Sequence, residues 1–395
     1  MKILLVNVLA EKKSTGRIVK DLYFGYKEHG YSCKIAYGRD SVSIIPKEDS
    51  YKISNPIDMY AHALETFAFD NHGLASRLST NKFIKWLNKE NFDIIHLHNI
   101  HGYYLNYKIL FDYINEEFDG KIIWTMHDMW AISGHAAYLD ETQLNKEHIS
   151  NAKSYLKQYP VSFVDKYSRN YKLKKKLFTK KKMTIVTPSN WLTNIMKKSF
   201  LKDNEIVTIY NGTDLSQFYP RIVKKDEKKI ILAVASIWED RKGLTDINKL
   251  ALILPEQYKI IAVGKVPKGK SFNSKIQHIE QTDNIDELAN LYSSAYVFIN
   301  PTHFDNAPMV NIESQSCGTP VITYNTGGAS EMIINGETGL VVKCNSVKEL
   351  LEKIEKINIT SEMIENCVKQ TTFFSSQRMV EDYVQLITKL KQKNI

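Results

Sequence analysis

Residues 295–333 read AYVFINPTHFDNAPMVNIESQSCGTPVITYNTGGASEMI, and the stretch changes periodicity three times. AYVFI, residues 295–299, is a short apolar run that reads as a buried strand. Pro308 suits the first turn of a helix and Gly318 the residue past its end, which predicts a helix from about Pro308 to Cys317. TPVITY is a second strand, and Gly327-Gly328 form a flexible loop ahead of another predicted helix at residues 330–334. Strand, helix and strand in this order build a parallel sheet with covered faces.

The same alternation extends outward in both directions. Candidate strands on the amino-terminal side are KILLVNV, SCKIAYG, FDIIHLHN, KIIWTMH, MTIVTPS and EIVTIYN; on the carboxyl-terminal side they are KIILAVAS, YKIIAVGK, AYVFINPT, TPVITYN and GLVVKC. Between the sets lies a turn-rich, then charged segment. The expected fold is therefore α/β, with two doubly wound Rossmann-like domains facing a central cleft. The first covers residues 1–215, the linker 216–228, the second domain 229–372, and a final amphipathic helix, 373–395, packs back on the body. Residues 135–182 form a polar, helix-prone insertion longer than an ordinary connection.

Composition narrows the function classes. Of the 395 residues, 43% are hydrophobic and 25% charged, values of an ordinary globular chain. The four cysteines, Cys33, Cys317, Cys344 and Cys367, show no metal or disulfide spacing, which fits a reducing compartment. MKILLVNVLA reads as a first strand rather than a signal peptide, and the absence of any run of eighteen apolar residues argues against a spanning helix. A cytoplasmic location is expected, with peripheral contact at the inner face of the membrane. The net charge of +9 implies acidic partners. Its densest source is Lys172 to Lys182, with seven lysines in eleven residues. Leu173, Leu177 and Phe178 interleave them, so the run reads as a solvated helix face or an anionic-membrane contact; no nucleic-acid motif accompanies it, and no nucleic-acid partner is expected.

Two carboxylates stand out chemically, Asp305 before the predicted helix and Glu313 within it. Glu313 lies among Val310, Ile312 and Cys317, so it needs a partner; sugar or ribose hydroxyls, or a structural cation, serve equally. Asp305 or Asn306 is either a helix cap or an acceptor of sugar hydroxyls. First-turn amides around Ala307, Met309 and Val310 form an anion site suited to a diphosphate. Arg241 and Lys242, on the loop after KIILAVAS, are placed to neutralise phosphate, though exposed loop lysines are common. His127-Asp128 ends the strand IIWTM, where an imidazole is a turn histidine or a ligand of sugar hydroxyls or phosphate. His96, His98 and His101 lack a carboxylate or cysteine to complete a metal set, and no metal is expected. The Ser14 to Arg17 loop lacks GxGxxG, and neither GxxxxGK[ST] nor GxSxG occurs, which removes support for hydride transfer, P-loop chemistry and serine hydrolysis. A nucleotide-sugar cleft remains.

STGRIV, DIIHLHNIHGYY, TMHDMWAISGH, IVTPSNWL, IYNGTDLSQFYP, the RKG loop and PMVNIESQSCGTPVITYNTGGASEMI together resemble the family 4 retaining glycosyltransferases of GT-B fold, particularly bacterial enzymes of capsular, colanic acid or O-antigen polysaccharides. The resemblance covers nearly the whole chain. It implies hexosyl-type transfer from a UDP- or GDP-sugar donor to a hydroxyl of a glycan or lipid-linked acceptor, without a cofactor or metal. Glu313 would hold ribose hydroxyls, Asp305 the transferred sugar, and Lys242, Arg241 and the amides near Met309 and Val310 the diphosphate. Gly16 would let its loop approach the phosphates, His127 would lie by the donor sugar, and Arg17, His98, His101 and Asp128 would line the acceptor side. The base would contact the loop near Gln281 to Asn284. Two departures stand out: Ser236 where the family has an arginine, and HAAYLDETQ where close relatives carry cysteines. A non-catalytic sugar-binding subunit and a nucleotide-sugar epimerase are the alternatives.

Overall fold

The computed structural model describes residues 1–138, 155–157, 159–224, 226–282 and 284–392. The chain divides into two compact units, Met1–Ile209 with Val380–Ile395, and Tyr210–Met379.

The first unit has seven parallel strands: β1 (Lys2–Asn7), β2 (Ser32–Tyr37), β3 (Ser50–Lys52), β4 (Ile94–Leu97), β5 (Lys121–Thr125), β6 (Thr184–Thr187) and β7 (Glu205–Thr208). Their order is β3-β2-β1-β4-β5-β6-β7. Central strands β4 and β6 are buried along their whole length, because a parallel sheet covered on both faces takes continuous apolar runs. β3 escapes the sequence reading because three residues, SYK, carry no periodic signal. The helices are α1 (Lys13–Glu28), α2 (Pro56–Phe69), α3 (Arg77–Glu90), α4 (Tyr107–Glu116), α5 (Tyr167–Phe178) and α6 (Asn190–Lys197). Side chains of Asn55, Asn106 and Ser189 cap α2, α4 and α6 by accepting from amides of the first turn.

Several expectations need adjustment here. α1 begins at Lys13, so Gly16 and Arg17 lie within a helix, not a loop. A Cβ on Gly16 would stand 3.2 Å from the Glu11 backbone, and the glycine serves that close approach of the preceding turn. The lysine run is not a uniformly solvated face. Lys174 is buried, donating to the carbonyls of Trp130 and Ser133 at 2.7 and 3.0 Å, and Leu177 and Phe178 belong to the core. Two of the three apolar side chains that suggested membrane contact therefore point inward. Of the predicted insertion, residues 139–154 and 158 lie outside the described residues; α5 occupies its second half.

The second unit has six parallel strands in the order β10-β9-β8-β11-β12-β13. These are β8 (Lys229–Ile237), β9 (Tyr258–Lys265), β10 (Ile276–Ile279), β11 (Val297–Asn300), β12 (Val321–Tyr324) and β13 (Gly339–Val342). Side chains alternate across this sheet. Ile231 and Ala233 join α7 (Leu244–Ile253) and α10 (Val347–Lys356) on one face, while Ile230 and Leu232 join α8 (Ile285–Ser294) and α9 (Met309–Ser316) on the other. Each fully buried isoleucine contributes roughly 1.5–3 kcal/mol relative to exposure. Residues 330–332 form one 3-10 turn instead of the expected helix, because the chain must re-enter the sheet at Gly339. α11 (Ser361–Thr371) follows, and the last helix, α12 (Ser376–Gln392), starts in the second unit and ends in the first.

Candidate functional site

An open parallel sheet has a crevice where successive strands leave in opposite directions, at the carboxyl ends of the two strands that flank the reversal. In the second unit these strands are β8 and β11. The loop after β8 carries Arg241 and Lys242; the loop after β11 carries Asp305 and leads into α9.

Backbone contacts lace these loops together. The Arg241 carbonyl accepts from the His303 amide at 2.7 Å and the Thr302 hydroxyl at 3.0 Å. The Asp305 carbonyl accepts from the Gly328 amide at 3.0 Å, so the loop after β12 joins as a third wall. Gly327 has φ of +55°, and a Cβ there would fall 2.0 Å from the Asp305 carbonyl oxygen. Gly243, at φ of +85°, lies as close to Pro301, where a Cβ would meet the carbonyl at 2.3 Å. Only glycine permits these approaches.

The result brings together two residues 63 positions apart: the Lys242 ammonium donates to the Asp305 carboxylate. Asp305 is therefore not a helix cap. Pro308 occupies the N-cap of α9, just outside the helix, and no side chain caps it. With Pro308 in that position, the first-turn amides at Met309 and Val310 are half-buried beside the crevice. Arg241 is engaged by Glu239 at 3.0 Å, and its guanidinium also reaches the Phe304 carbonyl at 3.4 Å. Ser236 is exposed near the end of β8.

Glu313 is buried in α9, and its Oε2 accepts from the Tyr292 hydroxyl at 3.1 Å. A carboxylate has about four lone-pair sites, and the Tyr292 phenol takes one of them. Sequence reading missed Tyr292, which stands on α8 with nothing in its spacing to mark it. It also missed the 2.7 Å pairing of His303 with Asp246, which ties the Asp305 loop to α7. Of the loop expected to contact a base, Asp283 lies outside the described residues, and Asn284 caps α8.

The first unit reverses between β1 and β4. Here the Asn7 side chain accepts from the Asn99 amide at 3.1 Å and donates to the Leu9 carbonyl at 2.7 Å, joining the two loops. Beside this latch stand the histidines. His98 Nδ1 lies 2.9 Å from His127 Nε2, and His101 Nε2 lies 2.8 Å from Asp128 Oδ2. His96 is a core residue between Tyr26 and Thr125, at 3.2 and 2.9 Å.

Burial decides the charge of this set. It pushes the His127 imidazole down to about 4 from an ordinary 6.5, with Asp128 opposing and His101 adding to the shift. His98 is driven well below the usual histidine range by burial, then by His96 and His127. Burial also opposes ionisation of Asp128, but His101 and the Trp130 amide outweigh it and hold the carboxyl below the ordinary carboxylate value. Neutral imidazoles donate and accept hydrogen bonds without attracting anions through charge. His98 Nε2 and His101 Nδ1 are buried and meet no hydrogen-bond partner among the described residues. They border a cavity of about 10 Å³ lined by His98 to His101 and Thr125 to Asp128. A further pair that sequence reading missed, His135 with Asp70 at 2.6 Å, lies buried in the same unit. Among the described residues no three His, Cys, Asp or Glu side chains form a metal-binding group. No described helix is long and apolar enough to cross a membrane.

Residues 15–217 match the family model described as Glycosyltransferase Family 4, and residues 216–372 match Glycosyl transferases group 1. Among curated relatives, the capsular polysaccharide biosynthesis glycosyltransferase CapM of Staphylococcus aureus is 29% identical over 185 residues, covering 41% of this chain and 48% of that protein. The chain thus spans about half the length of this relative. The putative colanic acid biosynthesis glycosyl transferase WcaC of Escherichia coli is 22% identical, covering 74% and 75% of the two chains. The O-antigen chain mannosyltransferase RfbU of Salmonella typhimurium is 26% identical, covering 57% and 65%. Among solved structures, sucrose-phosphate synthase of Thermosynechococcus elongatus superposes with a TM-score of 0.75 at 18% identity and 99% coverage of both chains. HepE of Anabaena gives 0.68 at 14% identity, covering 98% of this chain and all of that one. These superpositions carry the two-domain fold.

Proposed function

Because the chain belongs to Glycosyltransferase Family 4, we propose that it is a retaining glycosyltransferase that moves a sugar from a UDP- or GDP-sugar to a hydroxyl of a glycan or lipid-linked oligosaccharide. The names of its relatives favour surface polysaccharide as the product. The proposal puts the reaction in the cytoplasm, at the inner face of the membrane where a lipid-linked acceptor would lie.

One observation carries the reading: Lys242 and Asp305 meet across the reversal point of the second sheet, on the loop that leads into the helix holding buried Glu313. A diphosphate entering there competes with Asp305 for the Lys242 ammonium and takes the first-turn amides of α9. Asp305, released, accepts from hydroxyls of the donor sugar. Glu313 accepts from the ribose hydroxyls beside the Tyr292 hydroxyl. As the bond from the anomeric carbon to the diphosphate breaks, negative charge grows on the leaving phosphate, where Lys242, Arg241 and the amides stabilise it. The acceptor oxygen bonds to the same face of that carbon and gives its proton to a phosphate oxygen. The configuration is retained, and the reaction as proposed calls on no metal or other cofactor. His98, His101 and Asp128, with Arg17, serve the acceptor side, and neutral His127 hydrogen-bonds hydroxyls of the transferred sugar.

Glu313→Gln tests this. It preserves volume but removes the charge, so transfer from the accepted UDP- or GDP-sugar should fall by at least about a hundredfold, the scale of losing one preorganised electrostatic contact. Thermal stability without donor should stay near wild type, while the stabilisation produced by donor disappears. Near-wild-type turnover in that variant sinks the assignment.

A further inference from the structure

A guanidinium drawn partly out of water ordinarily has a carboxylate beside it, because an uncompensated charge there is costly. Arg39 is half-buried and has none: its guanidinium meets no acidic side chain among the described residues. It follows β2 at the carboxyl edge of the first sheet, and its place is fixed. The Arg39 amide donates to the Val8 carbonyl at 2.8 Å, while Nε and Nη2 both donate to the Gly102 carbonyl, at 3.0 and 2.7 Å. The guanidinium lies 5.3 Å from the Tyr103 ring centroid. Tyr103 itself holds φ of +70°, a left-handed conformation that a bulky residue rarely adopts. Strain of this kind persists where the surroundings over-determine it, and ligand sites are where it collects.

Gly102 takes Nε and one Nη2 hydrogen, which leaves the end-on fork of Nη1 and Nη2 without a protein acceptor among the described residues. That fork matches the two oxygens of a carboxylate. Beside it stands an aromatic wall. Tyr159, 38% exposed, packs edge-to-face on Tyr103 with ring centroids 5.9 Å apart, and its centroid lies 6.1 Å from that of His101. The carboxylate of this cluster is already engaged, since Asp128 pairs with His101 at 2.8 Å and accepts from the Trp130 amide at 2.9 Å. The field of Arg39 instead reaches inward, where it adds to burial, the larger cause, in pushing the His62 imidazole down to about 3. Lys52 donates to the Asp40 carbonyl at 2.7 Å.

We infer that Arg39, flanked by Tyr103 and Tyr159, is a specificity-determining subsite for a carboxylate-bearing sugar, such as a uronic acid, in the acceptor. The fork holds the carboxylate, and the tyrosines offer apolar ring surface to the sugar carbons. One guanidinium matches the single charge of a carboxylate, whereas a phosphate monoester brings nearly two. The inference rests on the proposed reaction in one respect, that the neighbouring His101 and Asp128 serve the acceptor.

Saturation-transfer NMR titrations of the full chain test it with methyl glucuronoside, methyl glucoside and methyl glucoside 6-phosphate, which differ only at carbon 6. The wild type should bind the glucuronoside at least about tenfold more tightly than the glucoside, the scale of a hydrogen-bonded charge pair, and the difference should shrink as salt rises. Arg39→Gln should bring the two ligands within about twofold of each other at an unchanged melting temperature, and Arg39→Lys, which keeps the charge but loses the fork, should retain no more than about a third of the preference. The inference fails if the wild type binds glucuronoside and glucoside alike, or if Arg39→Gln keeps the full preference. It also fails if the 6-phosphate binds more tightly than the glucuronoside, which would make the fork a phosphate site. The comparison of ligands on the wild type decides even where a variant does not fold. Titrating UDP and GDP into the same chain separates this inference from the reaction. Nucleotide binding without a carboxylate preference overturns the inference alone, and a carboxylate preference without nucleotide binding upholds it while removing the proposed donor.

Discussion

The two reversal points have the same topology and opposite chemistry. In the second unit, loops after the flanking strands hold an ammonium and a carboxylate, half-buried, with glycines packed against backbone. In the first, the loops after β4 and β5 hold the buried imidazoles of His98 and His127, which desolvation keeps neutral. The difference teaches that the fold supplies a crevice and burial decides its chemistry: a half-buried ammonium and carboxylate in one case, buried neutral imidazoles beside the His101–Asp128 pair in the other.

The sharpest way to break this contrast is Lys242→Ala. It removes the cation and leaves Asp305 unpaired, so kcat/KM should fall by about 10²–10³-fold; a steady-state assay showing less than a fivefold loss would merge the two crevices into one class. His127→Asn should cost about 10–30-fold, the scale of one buried hydrogen bond, with donor affinity by calorimetry unchanged when the free nucleoside diphosphate is the ligand. A loss of nucleotide affinity there would give the imidazole a phosphate role after all. Gly327→Ala forces a Cβ against the Asp305 carbonyl at a left-handed φ, and should weaken donor binding about tenfold through backbone displacement.

Acid should separate the units. His127 has a folded-state value of about 4 against an ordinary 6.5, so the unfolded chain binds more protons between these values. The stability this group contributes is complete above pH 6.5 and is lost as pH falls toward 4. Hydrogen exchange at pH 5 against pH 7.5 should show β4 and β5 losing protection, and unchanged protection there would contradict the neutral-imidazole description. The smallest effect is expected from Ser236→Arg, which restores the cation of the family pattern and should tighten nucleoside diphosphate binding about threefold, the scale of a partly exposed charge pair. No change would indicate that Arg241 already supplies that charge.

Much of this was legible before the structure. Apolar runs announced eleven of the thirteen strands among the described residues, because a doubly covered parallel sheet leaves little room for polar residues. Asp305 and Glu313 were legible as isolated carboxylates at the start of and within a helix otherwise without charge, and Lys242 as part of a basic pair on the loop after a parallel strand. Their partners were not. Nothing local links Lys242 to Asp305, Glu313 to Tyr292, or His101 to Asp128, since each pair is made by loops or helices that only a folded sheet brings together. α2, whose buried residues are His62 and Thr66, shows what a pattern leaves open. Its periodicity is that of any amphipathic helix, and the pattern by itself says which residues share a face but not which face meets water.

The sequence by itself determined the order of strands and helices, the two-domain division and the candidate residues, because periodicity, turn chemistry and isolated charges are local properties. Tertiary structure alone decided which of those residues meet, which histidines stay neutral and which face of α2 is exposed. Those outcomes depend on desolvation and on contacts between segments tens of residues apart, and a chain read one residue after another contains neither.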